Sequence, residues 1–72
     1  MFYLDADYLD YKIKTAKTTK EAVAAACGLN RSTLWRRVNA GTLTIADVHA
    51  IILFLDLTED DIRKIFFARK VA

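Results

Sequence analysis

Helical spacing of the apolar residues is the feature of this sequence that most restricts its fold. Apolar side chains recur three and four positions apart along almost the whole chain, rather than alternating as they do in a half-buried strand. Only Gly28 and Gly41 interrupt this pattern strongly, and the chain contains no proline. The sequence is therefore predicted to form helices joined by short connections, which is an all-α domain.

Residues suited to capping helix N-termini mark where four of five predicted short helices begin. The candidate caps are Thr18 or Thr19, Asn30, Thr44 and Thr58. Glu21 follows Thr18 by three residues, which is the spacing of a capping box. The predicted helices cover residues 5–16, 20–27, 31–40, 45–55 and 59–68. Residues 2–4 also suit a short extended segment, for which the sequence reveals no partner strand.

The length and composition indicate one small domain that spans residues 1–72. A chain of this size has a marginal core, but 54% of its residues are hydrophobic, which excludes a disordered chain. The single cysteine, Cys27, excludes an internal disulfide, and no cluster of cysteine and histidine is spaced to bind zinc. The longest apolar stretch, residues 22–29, is far shorter than the roughly 20 residues that cross a membrane. We therefore expect a reduced, soluble, intracellular protein without a metal, a cofactor or a membrane partner.

Basic charge is concentrated in the middle of the chain. The formal net charge is only +2, yet residues 12–37 carry seven basic side chains and one acidic side chain, a local net charge of +6. Residues 1–11 carry three aspartates instead, and residues 38–72 are close to neutral. Such a block is typical of a surface that binds a polyanion, although a lysine-rich helix that is merely solvated has the same composition.

The second and third predicted helices have the spacing of a helix-turn-helix unit. A short helix, a Gly-Leu-Asn turn and a helix that opens with small polar and basic residues follow one another here. The small side chains of residues 22–26 allow the two helices to approach closely, and Gly28 permits the tight turn. The helix-turn-helix unit is predicted to cover residues 19–40.

The same residues resemble a known family. Residues 19–34, with the sequence TKEAVAAACGLNRSTL, resemble the pattern T-x-E-x-x-A-x-x-x-G, followed by a hydrophobic residue and small polar residues. This pattern is that of the Cro/CI-type, or XRE-like, helix-turn-helix family, and the resemblance extends over most of residues 9–66. The end of the chain, residues 65–72, looks like the ends of small regulators of temperate phages and prophages. The resemblance implies a lambda-repressor-like fold, binding of operator DNA, and a place at the nucleoid in the cytoplasm of a bacterial host.

The resemblance also implies a set of DNA-contacting residues on and around the third helix. The residues at base-facing positions of the family are Arg31, Ser32, Trp35 and Arg36. The residues at phosphate-contacting positions are Thr19, Lys20, Thr33, Arg37, Asn39 and Thr42. An arginine among them can bind O6 and N7 of one guanine, which is the commonest specific contact in the major groove. The alternative is that the arginines are ordinary surface residues and that Thr19 only caps its helix.

Trp35 departs from the family pattern, because it is bulkier than most residues at this position of the third helix. Three interpretations remain open for its side chain. It packs over Leu34, Val38 and the turn as part of the core, it stacks on the DNA backbone, or it anchors a protein partner. The last interpretation follows from the enrichment of tryptophan at the centres of protein interfaces.

The fourth predicted helix is apolar on nearly every side. The residues expected to face the core are Ile45, Val48, Ile52 and Leu55, but Ile51, Leu53 and Phe54 are apolar as well. A helix that is apolar all round is covered all round. Either this helix lies at the centre of the domain, or part of its cover comes from a second chain. The candidate interface residues are Phe54, Phe66, Phe67 and Val71, with Trp35 as an alternative.

Two functions of different classes remain open. No pair of nucleophile and base, pair of catalytic acids or phosphate-binding loop can be assembled, so we expect neither an enzyme nor a small-molecule substrate. The first function is a transcriptional regulator that binds double-stranded operator DNA as a homodimer. The second is an antirepressor that forms a heterodimer with a phage repressor and blocks its DNA-binding face. The modest net charge and the acidic residues Asp5, Asp7 and Asp10 favour the second, and fold alone does not choose.

Overall fold

The part of the chain that the structure describes is all-α, with five helices, as the spacing of its apolar residues predicts. The computed structural model describes residues 2–69. The helices are α1 (Ala6–Thr15), α2 (Lys20–Ala26), α3 (Arg31–Ala40), α4 (Ile45–Leu55) and α5 (Glu59–Phe66). Two strands of two residues each, β1 (Phe2–Tyr3) and β2 (Ala68–Arg69), flank the helices. The predicted bounds of α3 and α4 are confirmed, and those of α1 and α2 agree within one residue at each end.

Each helix begins at a capping side chain. Thr19, Asn30, Thr44 and Thr58 each accept a hydrogen bond from the backbone amide three residues later, and Asp5 does the same for α1. The N-termini of α4 and α5 are complete capping boxes, because the aspartate at the third helical position also accepts from the amide of the capping threonine. These local bonds satisfy amides that have no partner inside the helix.

The N-terminus of α2 differs from the prediction. Thr19, not Thr18, caps this helix, and its Oγ1 lies 3.1 Å from the Ala22 nitrogen. The capping box between Thr18 and Glu21 does not form, because Thr19 is the N-cap and Glu21 is therefore not at the third helical position. The Glu21 carboxylate lies 3.2 Å from the guanidinium of Arg31 instead.

The end of α5 also differs from the prediction, which extended this helix to Ala68. The helix ends at Phe66, because Phe67 leaves the helical conformation (φ −126°, ψ 31°). The chain then forms β2, which pairs antiparallel with β1 in the register Phe2 with Arg69 and Tyr3 with Ala68. The partner of the predicted N-terminal extended segment is therefore the segment that follows α5.

The core contains residues from all five helices. Its buried apolar side chains are Leu9, Ile13, Val23, Ala24, Leu34, Val38, Ile51, Leu55, Leu57 and Ile65. The helix α2 packs against both α3 and α4, while α5 packs against α1. Fully buried Ala24 is small enough to let α2 lie close to its neighbours.

Two glycines in the left-handed region set the direction of α3. Gly28 (φ 72°) lies in the turn between α2 and α3, and Gly41 (φ 70°) is the C-cap of α3. Residues other than glycine adopt this conformation at a cost of about 1 kcal/mol or more. After Gly41 the chain turns sharply, and α4 leaves at 112° to α3.

The orientation of α4 corrects the expectation for its apolar residues. Ile45 was expected in the core but is 89% exposed, whereas Ile51 is completely buried. Leu55 is buried as predicted, and Val48 and Ile52 are half-buried. The helix is thus not covered on all sides by the described part of its own chain. Of the helices in residues 2–69, none is long and apolar enough by itself to cross a membrane; α3 and α4 reach that length and composition only as a bent pair.

Candidate functional site

One face of α3 is open to solvent. Leu34 and Val38 attach the helix to the core, which leaves Arg31, Ser32, Arg36 and Asn39 exposed. The ten residues of α3 include no acidic side chain. Three of the four residues predicted to face DNA bases, all except Trp35, therefore lie on exposed surface.

Arg31 also contacts the beginning of α2. Its Nη1 donates a hydrogen bond to Glu21 Oε2 at 3.2 Å. Both side chains are more than half exposed, so this ion pair contributes little to stability. Its effect is on geometry, because Glu21 draws the Arg31 guanidinium toward the N-terminal end of α2.

Trp35 lies beside Lys20, at the same edge of α3. The indole is half-buried and packs against the core, and the Lys20 ammonium lies 5.1 Å from the centroid of its ring. Lys20 Nζ is also 3.8 Å from Asp10 Oδ1. The packing interpretation of Trp35 agrees with this position. The expectation that the indole faces bases alongside Ser32 and Arg36 stays a prediction, with the difference that Trp35 is half-buried whereas those two side chains are exposed.

Arg37 is directed toward α4 instead of toward the open face. Its Nη1 donates to Asp47 Oδ2 at 2.8 Å, and Asp47 is buried. Burial tends to raise the pKa of the Asp47 carboxyl, but the hydrogen bonds from Arg37 and Thr44 outweigh it and hold that pKa below its usual value. The predicted phosphate-contacting residue Arg37 thus has a partner inside the fold.

The other predicted phosphate-contacting residues occupy two places. Thr19 and Lys20 lie at the start of α2, whereas Asn39 and Thr42 are exposed at the end of α3 and just after it. Thr33 is half-buried, and its backbone amide donates to Asn30 Oδ1 at 2.8 Å. In the sequence, the first pair precedes the exposed residues of α3 between positions 31 and 36, and the second pair follows them.

Ion pairs within the chain neutralise much of the basic block. Five of its seven basic side chains have a carboxylate within 4.0 Å, namely Lys12, Lys14, Lys20, Arg31 and Arg37. Within residues 2–69, Lys17 and Arg36 have no such partner. Arg36 is therefore the cation on α3 whose charge is not balanced by a nearby described carboxylate. Sequence reasoning missed this difference, because it depends on which helices pack together.

The predicted interface residues border two shallow grooves that meet at Ile45. Phe66 packs against the core, whereas Phe67 is 57% exposed, and both line a groove of about 770 Å³. Phe54 is 45% exposed and lines the second groove, of about 720 Å³, together with His49. Val71 lies outside the described residues.

Groups suited to metal binding or nucleophilic chemistry are sparse in the described part of the chain. No three side chains of histidine, cysteine, aspartate or glutamate gather there in a way that could hold a metal ion. Burial raises the pKa of the Cys27 thiol, which keeps it protonated and poorly nucleophilic. The candidate site is thus the open face of α3 with the start of α2 beside it.

Comparisons of the chain with models of protein families, with characterised proteins and with solved structures found no match.

Proposed function

We propose that this protein binds double-stranded DNA, with α2 and α3 as a helix-turn-helix unit of a lambda-repressor-like fold and with α3 in the major groove. The observation that carries the proposal is the open face of α3. It presents Ser32, Arg36 and Asn39 without an acidic residue on the helix, and Arg36 has no carboxylate partner among residues 2–69. A helix of ten residues with an exposed polar and basic face has the size and chemistry that the major groove admits.

In this proposal the exposed residues of α3 read bases. Arg31 and Arg36 are the candidates for bidentate contact with guanine, and Ser32 bonds either a base edge or a phosphate. Thr19 and Lys20 hold phosphate at the start of α2, and Asn39 and Thr42 do so after α3. We assign Trp35 to packing and to holding Lys20, and Arg37 to joining α3 with α4.

The biological role that follows is transcriptional regulation by operator binding. Regulators with this unit bind as homodimers to two half-sites about one turn of DNA apart, roughly 34 Å. If the resemblance to phage Cro and CI proteins reflects kinship, this activity would occur at the nucleoid, in the cytoplasm of a bacterial host. The protein would act by binding alone, without a cofactor, a small-molecule substrate or catalysis.

A second candidate is supported by the acidic residues beside the same face. Glu21 contacts Arg31, and Asp10 contacts Lys20, so two carboxylates accompany the basic residues at the α2–α3 edge. These carboxylates would repel phosphate and attract a basic protein surface. The corresponding function is an antirepressor that forms a heterodimer with a phage repressor and covers its DNA-binding face.

Titration of fluorescent duplex DNA with the protein tests the first proposal. Arg36→Ala should weaken binding at every salt concentration, whereas the matched variant Arg63→Ala, which removes an exposed arginine from α5, should bind like the wild type. If Arg36 contacts a phosphate, its loss should lower by about one unit the slope of the logarithm of the binding constant against the logarithm of the salt concentration. If Arg36 contacts a base, its loss should instead remove the preference at one base pair. Equal binding by wild type and Arg36→Ala would refute the proposal.

A pair of substitutions that removes two negative charges separates the two candidate functions. Asp10→Asn with Glu21→Gln should strengthen DNA binding, because two negative charges near phosphate are lost. On the antirepressor function the same variant should associate more slowly with a repressor encoded beside it, most clearly at low salt. Tighter DNA binding with unchanged repressor binding would exclude the antirepressor.

A further inference from the structure

We propose that the exposed side of α4 is the surface on which a second copy of this chain docks. This surface, called the α4 face below, consists of Ile45, Ala46, His49, Ala50 and Leu53, and all five line one groove. Ile45 is 89% exposed and Leu53 is 68% exposed, although both are large aliphatic residues. The exposure of both in one groove is unusual for a chain that already has few residues with which to build a core.

The chemistry of the α4 face excludes several other partners. The only charged side chain of α4 belongs to Asp47, which is buried on the opposite side. A helix that lies on a membrane surface carries lysine or arginine on its polar side, and α4 has neither. A nucleic acid would likewise require basic residues here. An uncharged apolar face of this kind fits another protein surface that is equally apolar.

The order of residues on the α4 face makes that surface complementary to itself. Ile45 and Leu53 lie four residues before and four residues after His49. If two α4 helices pack antiparallel about a two-fold axis at His49, each Ile45 meets Leu53 of the second copy. Ala46 and Ala50 lie between the large residues and leave room for the helices to approach. A two-fold interface requires this match between a patch and itself.

Charge at the helix ends favours the same antiparallel arrangement. Asp56 is exposed at the C-terminal end of α4. In the antiparallel pair it lies beside the N-terminal end of the second α4, where the helix dipole is positive. Parallel packing would instead bring the two Asp56 carboxylates together. The contact requires no DNA, so it stands or fails separately from the proposed DNA binding.

Sedimentation equilibrium over a range of protein concentrations, without DNA, tests the contact. The wild type should dimerise, and Leu53→Glu should weaken self-association by more than about tenfold, because a charge would be buried in the interface against Ile45 of the second copy. The matched control is Tyr11→Glu, since Tyr11 is a large residue of α1 that is 57% exposed outside the α4 face. This control should dimerise like the wild type, and circular dichroism should find both variants folded. A wild type that remains monomeric at high micromolar concentration would overturn the proposal.

Disulfide trapping gives a second readout that does not depend on Leu53. In a Cys27→Ala background, His49→Cys should form a covalent dimer under mild oxidation, because position 49 lies at the two-fold axis. Tyr11→Cys in the same background should remain largely uncrosslinked. Equal crosslinking at the two positions would show random collision instead of a specific α4 contact. If DNA binding fails while trapping succeeds, the contact is retained and only the proposed function is lost.

Discussion

Arg37 and Asp47 join α3 to α4 through a hydrogen-bonded ion pair of 2.8 Å, and Asp47 is also the aspartate of the capping box that begins α4. The same arrangement recurs at α5, where Lys12 of α1 lies 3.2 Å from Asp61 of the second capping box. In both cases a basic residue from an earlier helix is bound to the N-terminus of a later one. The basic block therefore holds helices together as well as supplying exposed charge.

Arg36 and Arg37 are neighbours whose removal should change the stability of the fold by different amounts. Arg37→Ala should lower the free energy of unfolding by about 1.5–3 kcal/mol, because the buried Asp47 carboxylate loses its charged donor. Arg36→Ala should change it by less than about 0.5 kcal/mol, since Arg36 is exposed and has no carboxylate partner among residues 2–69. Urea denaturation measures both. A similar small change in the two variants would show that the ion pair does not hold α3 against α4.

Acid sensitivity should depend on Asp61. A hydrogen bond from the Thr58 amide, helped by Lys12 and Tyr8, lowers the pKa of the Asp61 carboxyl to about 2. The pKa in an unfolded chain is about 3.9, so the stabilising contribution is complete above that value and is lost as the pH falls toward 2. Asp61→Asn should lower the melting temperature at neutral pH but flatten its decline between about pH 5 and pH 2. Tyr8→Phe, which removes one donor to Asp61, should flatten it partly. An unchanged pH profile in Asp61→Asn would contradict this account.

Two C-caps in the left-handed region predict stability changes of opposite sign. Gly41→Ala should destabilise the fold by about 1 kcal/mol, because the backbone at this position has a φ of 70°, which residues with a Cβ adopt only at a cost. The added Cβ would have no neighbouring atom within 4 Å, so no steric clash adds to that cost. Asp56 ends α4 at φ 52°, so Asp56→Gly should relieve strain and stabilise by up to about 1 kcal/mol. Thermal unfolding of the two variants measures both changes. Destabilisation by Asp56→Gly would mean that the carboxylate contributes more than the backbone strain costs.

Trp35 should report which partner the protein binds. Trp35→Leu should lower stability by about 1 kcal/mol through lost packing and the lost contact with Lys20. On the DNA-binding function, base preference should remain unchanged. On the antirepressor function, loss of an interface anchor should weaken repressor binding by about 2 kcal/mol or more. Calorimetric titration with a repressor encoded beside this protein measures that affinity, and an affinity equal to that of the wild type would remove Trp35 from any such interface.

Helix positions were predictable from the sequence because their signals are local. Asn30 and Thr44 cap helices within three residues of themselves, and Gly41 ends α3 by its own backbone freedom. The pairing of β1 with β2 was not predictable, since it joins segments at opposite ends of the chain. The exposure of Ile45 was missed for another reason. Where apolar residues occupy every side of a helix, their spacing cannot show which side is buried.

The candidate site was predictable in part. Resemblance to a family selected α3, and the structure exposes Arg31, Ser32 and Arg36 there. The family resemblance could not show that Arg37 is bound to Asp47, because that contact depends on the 112° turn from α3 to α4. Charge counting likewise overestimated the free positive charge, since it could not show the ion pairs made across helices.

Selection of binding sites from a random library of duplex DNA tests the central claim most directly. The wild type should enrich one short motif, and Arg31→Ala should lose about 1–3 kcal/mol of affinity for it together with its preference at one base pair. Lys20→Ala, the matched control, should weaken binding to all sequences alike. Recovery of such a motif, relaxed at one position by Arg31→Ala alone, is the result predicted for base reading by α3. Failure of the wild type to enrich any sequence over the starting library would contradict it.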